Sequence, residues 1–169
     1  MFCFCTVQGL HAINLGDSRF IVIRDGYTVF QSPVQQNGFN FPYQLENGIN
    51  GDLPSSGQVF NVPGVPGDVI VTGTDGLFNN LFSNKITAVV VHAIRAGLEL
   101  QVVAQSIAST ARKRAEDTHH DTPFSPQVVV HAIIFWFSTF IFLVENGNLW
   151  LPFFPLRLYH QVVIYMITS

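Results

Sequence analysis

The segment Gly67-Asp-Val-Ile-Val-Thr-Gly-Thr-Asp-Gly-Leu-Phe78 sets one acidic side chain just past the end of a buried strand. Val69 to Val71 are three apolar residues in a row, bounded by Gly67-Asp68 and by Gly73, the pattern of a short strand covered on both faces. Asp75-Gly76 follows, and a helix-compatible stretch comes after it. A carboxylate on such a strand-to-helix turn is held rigidly and still reaches solvent, which suits a hard metal ion. On the dipeptide alone, a plain Asp-Gly turn with a capping Asp is the favoured reading. Upstream stands a second landmark, Asn14-Leu-Gly-Asp-Ser-Arg19.

The surrounding pattern is strands first and helices after. Leu10–Leu15 and Phe20–Arg24 are apolar stretches separated by Gly16-Asp17-Ser18, which reads as a hairpin turn. Asp25-Gly26 marks a second turn, and Tyr27–Gln31 continues the meander. Residues 32–58, rich in Gly, Pro, Asn, Gln and Ser, read as a surface excursion, with Phe39, Phe41, Tyr43 and Leu45 alternating as in one more strand. Val59–Val62 and Asp68–Thr72 flank the turn Pro63-Gly-Val-Pro66. Asn84 is positioned as the N-cap of a helix over Lys85–Ala96 that Gly97 ends. Ile86, Val89, Val90, Ala93 and Ile94 form its apolar stripe. A second helix over Leu100–Asp117 puts Val103, Ile107, Ala108 and Ala111 on one side.

The two acidic landmarks, in this order and spacing, resemble the metal-dependent protein phosphatases of the PPM family, the 2C type. There one strand ends in N-x-G-D-S-R, and a later one ends in small residues followed by D-G-[LIFVW]-[FW]-D. Ser32-Pro-Val-Gln-Gln36, Phe39-Asn40, Tyr43-Gln-Leu45 and Gly67-Asp-Val-Ile-Val71 are similar to the plant-type small-chain branch. The resemblance runs from about residue 10 to about residue 126. It implies an α+β fold, part of an α-β-β-α sandwich in which antiparallel sheets are flanked by helices. It implies protein serine/threonine phosphatase chemistry on a phosphoprotein substrate, with Mg2+ or Mn2+ as cofactor. Carried over by position, Asp75 is the core metal ligand, Gly76 keeps its turn open, and Asp17 is an accessory ligand of a weaker third ion. For Asp17 a turn carboxylate accepting backbone N–H bonds stands beside that reading.

The departures from the pattern predict impaired or absent activity. Asn79 stands where the family has an Asp four residues after that of D-G. No D-G-x-G-G occurs in the chain, nor the closing D-[DN]-[IM]-[ST] strand. No phosphate-binding Arg or general-acid His is assigned, so no catalytic residue is named. Arg19 and Arg24 read as exposed hairpin residues. A truncated phosphatase domain is the first expectation. The alternative is a non-catalytic binding or decoy module derived from a phosphatase, with or without a membrane tether.

Charge divides the chain in two. Of 169 residues 48% are apolar and 11% charged, against about 25% charged in ordinary soluble domains. Residues 1–127 hold seven of the eight Lys/Arg and ten of the eleven Asp/Glu. They read as the C-terminal half of a phosphatase domain, and residues 128–169 as an apolar tail. Val128–Val144 is interrupted only by His131, Ser138 and Thr139, and as a helix would extend about 26 Å, marginal for a bilayer. Leu149–Ile167 is apolar again but holds Pro152, Pro155, Arg157 and His160. A membrane segment, a buried strand or helix packed on the domain, and an aberrant terminus all fit; the poorly patterned aromatic composition favours the last.

The net charge of −3 excludes an ordinary nucleic-acid-binding surface. Arg112-Lys-Arg114, closely followed by Glu116, Asp117 and Asp121, reads as a solvated helix end, and His119-His120-Asp121 as a solvated loop. Cys3 and Cys5 are too few for a structural zinc site and read as free thiols in a reducing compartment. With no basic and apolar leader pattern, an intracellular location is expected, with membrane association only through the tail. Oligomeric state is left open.

Overall fold

In the computed structural model, residues 2–6, 9–45, 51–117, 119–124, 143–145, 148–150 and 162–166 are described. The first strands are β1 (Phe2–Thr6), β2 (Gly9–Asn14), β3 (Arg19–Arg24) and β4 (Tyr27–Gln31). A short hairpin of β5 (Gln36–Gly38) and β6 (Phe41–Pro42) follows. Next come β7 (Gln58–Pro63), β8 (Val69–Gly73), a one-turn helix α1 (Asp75–Phe78), and the helices α2 (Ser83–Arg95) and α3 (Leu100–Glu116). The tail contributes β9 (Leu143–Glu145), β10 (Asn148–Trp150) and β11 (Val162–Met166).

These strands form a three-stranded sheet, β1-β2-β7, and a four-stranded sheet, β11-β8-β3-β4, with every pairing antiparallel. β9 and β10 pair with each other. The hairpin expected across Gly16-Asp17-Ser18 is therefore corrected. β2 pairs with β1 and β7, β3 pairs with β8 and β4, and the segment between them crosses from one sheet to the other. A short polar segment between two apolar runs fixes a change of direction, whereas one partner of each run, β7 for β2 and β8 for β3, lies about fifty positions away.

β3 and β8 are buried on both faces because they lie between a sheet and a helix pair. Alternate residues serve the two sides. Phe20, Val22 and Ile70 pack with Leu10 and Ala12 of the three-stranded sheet, where Phe30 and Phe60 add aromatic contacts to Phe20. Ile21, Ile23, Val69 and Val71 pack with Ile86, Val90 and Ala93 of α2 and Val103, Ile107 and Ala111 of α3. Each fully buried aliphatic side chain contributes about 1.5–3 kcal/mol. The layers run sheet, sheet, helix pair, which is part of an α-β-β-α sandwich.

The helices match their apolar stripes, with small corrections at the ends. α2 begins at Ser83 with Phe82 as N-cap and no side-chain cap, so Asn84 lies inside the helix. Gly97 follows its end at φ +67°. α3 stops at Glu116.

The tail is not featureless. β11 adds to the open edge of β8, with Val162 opposite Gly73 and Met166 opposite Val69, and Ile164 enters the core on the helix side. A strand packed on the domain is thus what these five residues form. The stretch 128–144 expected to be a membrane segment or an aberrant terminus lies outside the described residues except for Leu143 and Val144 in β9. Among the described residues no helix is long and apolar enough to cross a membrane.

Candidate functional site

Crossing between sheets brings the two acidic turns to one end of the four-stranded sheet. Asp17 lies on the segment entering β3, and Asp75 opens α1 just past the end of β8, which runs antiparallel to β3. In the ladder Arg19 lies opposite Gly73. Each carboxylate is therefore two residues along its own chain from one shared rung.

Local bonds hold both turns. Gly16 has φ +94°, and a Cβ there would lie 3.0 Å from the Tyr43 carbonyl oxygen, so glycine admits both the backbone and the close approach of the 32–45 segment. The Gln35 amide donates to the Gly16 carbonyl at 2.9 Å, and Asn14 Nδ2 donates to the Ser18 carbonyl at 2.7 Å. On the other turn the Gly76 amide donates to Asp75 Oδ1 at 2.8 Å, and the Asn79 amide to the Asp75 carbonyl at 2.7 Å. Gly76 is buried, and its carbonyl accepts a bond from Asn80 Nδ2 at 2.9 Å. Asn79 caps α1, and its carbonyl accepts from the Phe124 amide, which ties the chain after α3 to this turn.

The electrostatics are those of an under-compensated anionic site. Burial, and then the charge of Asp17, push the Asp75 carboxyl up to about 6. Burial raises Asp17 as well, against the lowering effect of a backbone hydrogen bond and of Arg19. Arg19 is half-buried rather than an exposed hairpin residue. Its Cζ lies 6.0 Å from the centre of the Phe78 ring, and burial lowers its affinity for the proton while Asp17 and Asp75 raise it. Arg24 is also corrected. It binds Asp68 through two hydrogen bonds of 2.7 and 2.8 Å at the far end of β3.

Four buried side-chain atoms lack a hydrogen-bond partner among the described residues: Asn14 Oδ1, Arg19 Nε, Gln35 Oε1 and Thr74 Oγ1. All four belong to residues within three positions of Asp17 or Asp75 or, for Gln35, to the residue that binds Gly16. Orphaned polar atoms gathered at one place mark where a bound ion or ordered water would be accommodated. Two repelling carboxylates beside them fit one hard divalent ion that keeps most of its water. They do not fit a two-metal centre, since the described residues contain no group of three or more His, Cys, Asp or Glu able to hold a metal.

The sequence reading missed Arg19, Thr74 and Gln35. Arg19 closes the Asn14–Arg19 motif, and that was the available signal; its meaning depended on the pairing of β3 with β8. His119-His120 stays apart, with His120 paired to Asp117 on an exposed turn. A cavity of about 610 Å³ lies between β4 and α2, lined in part by Tyr27, Thr87, Val91, His92 and Arg95. It runs along β4 from Tyr27 to Gln31 and includes neither acidic turn.

No protein-family model matches the chain. Probable protein phosphatase 2C 55 of Arabidopsis thaliana is 68% identical over 120 residues, 71% of this chain and 26% of the relative. Probable protein phosphatase 2C 80 of the same plant is 60% identical over 118 residues, 70% of this chain and 28% of the relative. The human protein phosphatase PTC7 homolog is 36% identical over 128 residues, covering 71% and 42%. Among solved structures, the X-ray structure of the photosystem II phosphatase PBCP aligns with a TM-score of 0.69 at 31% identity, over 74% of this chain and 48% of that one. The chain spans about a quarter of the length of the two plant relatives.

Proposed function

Because this chain belongs, over the region it shares with those relatives, to the protein phosphatase 2C family, we propose that residues 1–127 are part of the catalytic domain of a metal-dependent protein serine/threonine phosphatase. Its substrate class is a phosphoprotein. Asp75 is the principal metal ligand and Asp17 an accessory one, and Mg2+ or Mn2+ is the ion. Such an ion, when bound, supplies an activated water at neutral pH. The chain's own part is to present two carboxylates from rigid strand ends, to keep them partly out of water, and to hold their turns through Gly16, Gly76 and Asn14.

The observation that carries this reading is the convergence of the two motif acids at one end of the sheet, in a region 68% identical to a 2C-type phosphatase. Two carboxylates hold one ion loosely, so this chain alone turns over a phosphopeptide far more slowly than a complete relative. Titration of Mn2+ into the chain, with Asp75→Ala as control, tests the site. Heat of binding that disappears in the variant supports it; heat unchanged in the variant sinks it. A non-catalytic binding module is the second reading, favoured by the shortage of acidic ligands among the described residues. Full metal-dependent turnover of a phosphopeptide would exclude it.

A further inference from the structure

Arg19 closes the Asn14–Arg19 motif, and its place in the sheet relates it to both acids. It follows Asp17 by two residues in the chain and, through its rung with Gly73, precedes Asp75 by two residues across the ladder. Residues 19, 21 and 23 share one face of β3, and Ile21 and Ile23 lie in the helix-side core. Arg19 points to that side, where Phe78 lies within cation–π reach at 6.0 Å. Its Nε is buried without a partner, and among the described residues it forms no ion pair with either carboxylate. A guanidinium stays charged under all ordinary conditions. Had it paired directly with Asp17 or Asp75, it would have consumed the oxygens a cation needs. Had it been fully exposed, solvent would have screened it. Held between those extremes, it offsets charge at a distance and leaves the oxygens open.

We propose that Arg19 is a built-in counter-cation of the Asp17–Asp75 pair: it stabilises the two carboxylates when no divalent ion is bound and weakens the binding of that ion when it arrives. The second half rests on the metal reading above; the first does not. Removing a positive charge that influences both carboxylates without pairing with either tightens binding of a divalent ion by roughly 3- to 10-fold.

The test combines metal-free urea unfolding of the full chain with Mn2+ titration, for the wild type, Arg19→Gln, Arg19→Lys, Asp17→Asn and the Asp17→Asn/Arg19→Gln pair. Arg19→Gln is expected to lower the metal-free midpoint and to tighten Mn2+ binding. Arg19→Lys, which keeps the charge, should stay within about twofold of wild type in Mn2+ affinity. Asp17→Asn is expected to recover most of what Arg19→Gln loses. If Arg19→Gln alone does not fold, recovery of folding in the double variant upholds the proposal, and failure to recover overturns it. Additive losses with unchanged Mn2+ affinity overturn it too, leaving Arg19 as a side chain packed on Phe78. Coupling without Mn2+ binding by any variant upholds the counter-charge and overturns the metal reading.

Discussion

Asp75 is a carboxylate held where water is scarce and a like charge is near, and both push its proton affinity up to about 6. Between its ordinary value of 3.8 and about 6, the folded chain keeps a proton that the unfolded chain has released. Stability at this site therefore falls as pH rises through that window, and the adverse contribution is complete above it. Asp75→Asn should raise the metal-free urea midpoint at pH 7.5 and flatten its pH dependence between 4 and 6. Mn2+ affinity of the wild type should drop progressively below about pH 6, as the ligand oxygens take up protons. Asp68 shows the opposite case. Its side chain is only 1% exposed, and the Arg24 guanidinium, itself 32% exposed, holds its carboxyl below the usual range. That contribution is present above the ordinary carboxylate value and is lost as pH falls through the depressed one. Arg24→Ala leaves the buried carboxylate with the Val65 amide but no counter-charge, and should lower the urea midpoint at neutral pH. At this scale the acids were legible because a strand followed by Asp-Gly is a local pattern. The arginines were not, because Arg19 and Arg24 acquire their partners only when β3 pairs with β8.

At the scale of elements, helices were read nearly to their ends, since the apolar repeat of α2 and α3 lies within each segment. The strands were located but wrongly joined at Gly16-Asp17-Ser18. Alternation reports which residues face a core without saying which strand lies alongside. β11 is the sharper case. Val162–Met166 sits in a tail whose composition gave no clear period, and its role comes from the vacant edge of β8 that it covers. Ile164 is buried against the helix side, so Ile164→Ala should cost about 2–4 kcal/mol in urea unfolding. Deleting residues 162–169 should leave Val69–Gly73 as an open edge and produce higher-order species in size-exclusion chromatography.

For the whole molecule, layers one side of the four-stranded sheet with helices and the other with a second sheet, and the outer face of that second sheet carries Val59 at 70% exposure. His11 and Asn61 join on the same outward side through a 2.7 Å hydrogen bond. Val59→Thr should therefore reduce binding of a hydrophobic dye without lowering the unfolding midpoint by more than about 0.5 kcal/mol. The sequence by itself determined the order of strands before helices, the apolar faces, and the two turns that carry Asp17 and Asp75, because each is written in neighbouring residues. Only the tertiary structure decided that those turns meet, that Arg19 stands between them, and that the tail supplies an edge strand. Those outcomes depend on which backbone edges pair across the chain, and edge pairing is settled by competition for hydrogen bonds and burial over the whole fold rather than by any local segment.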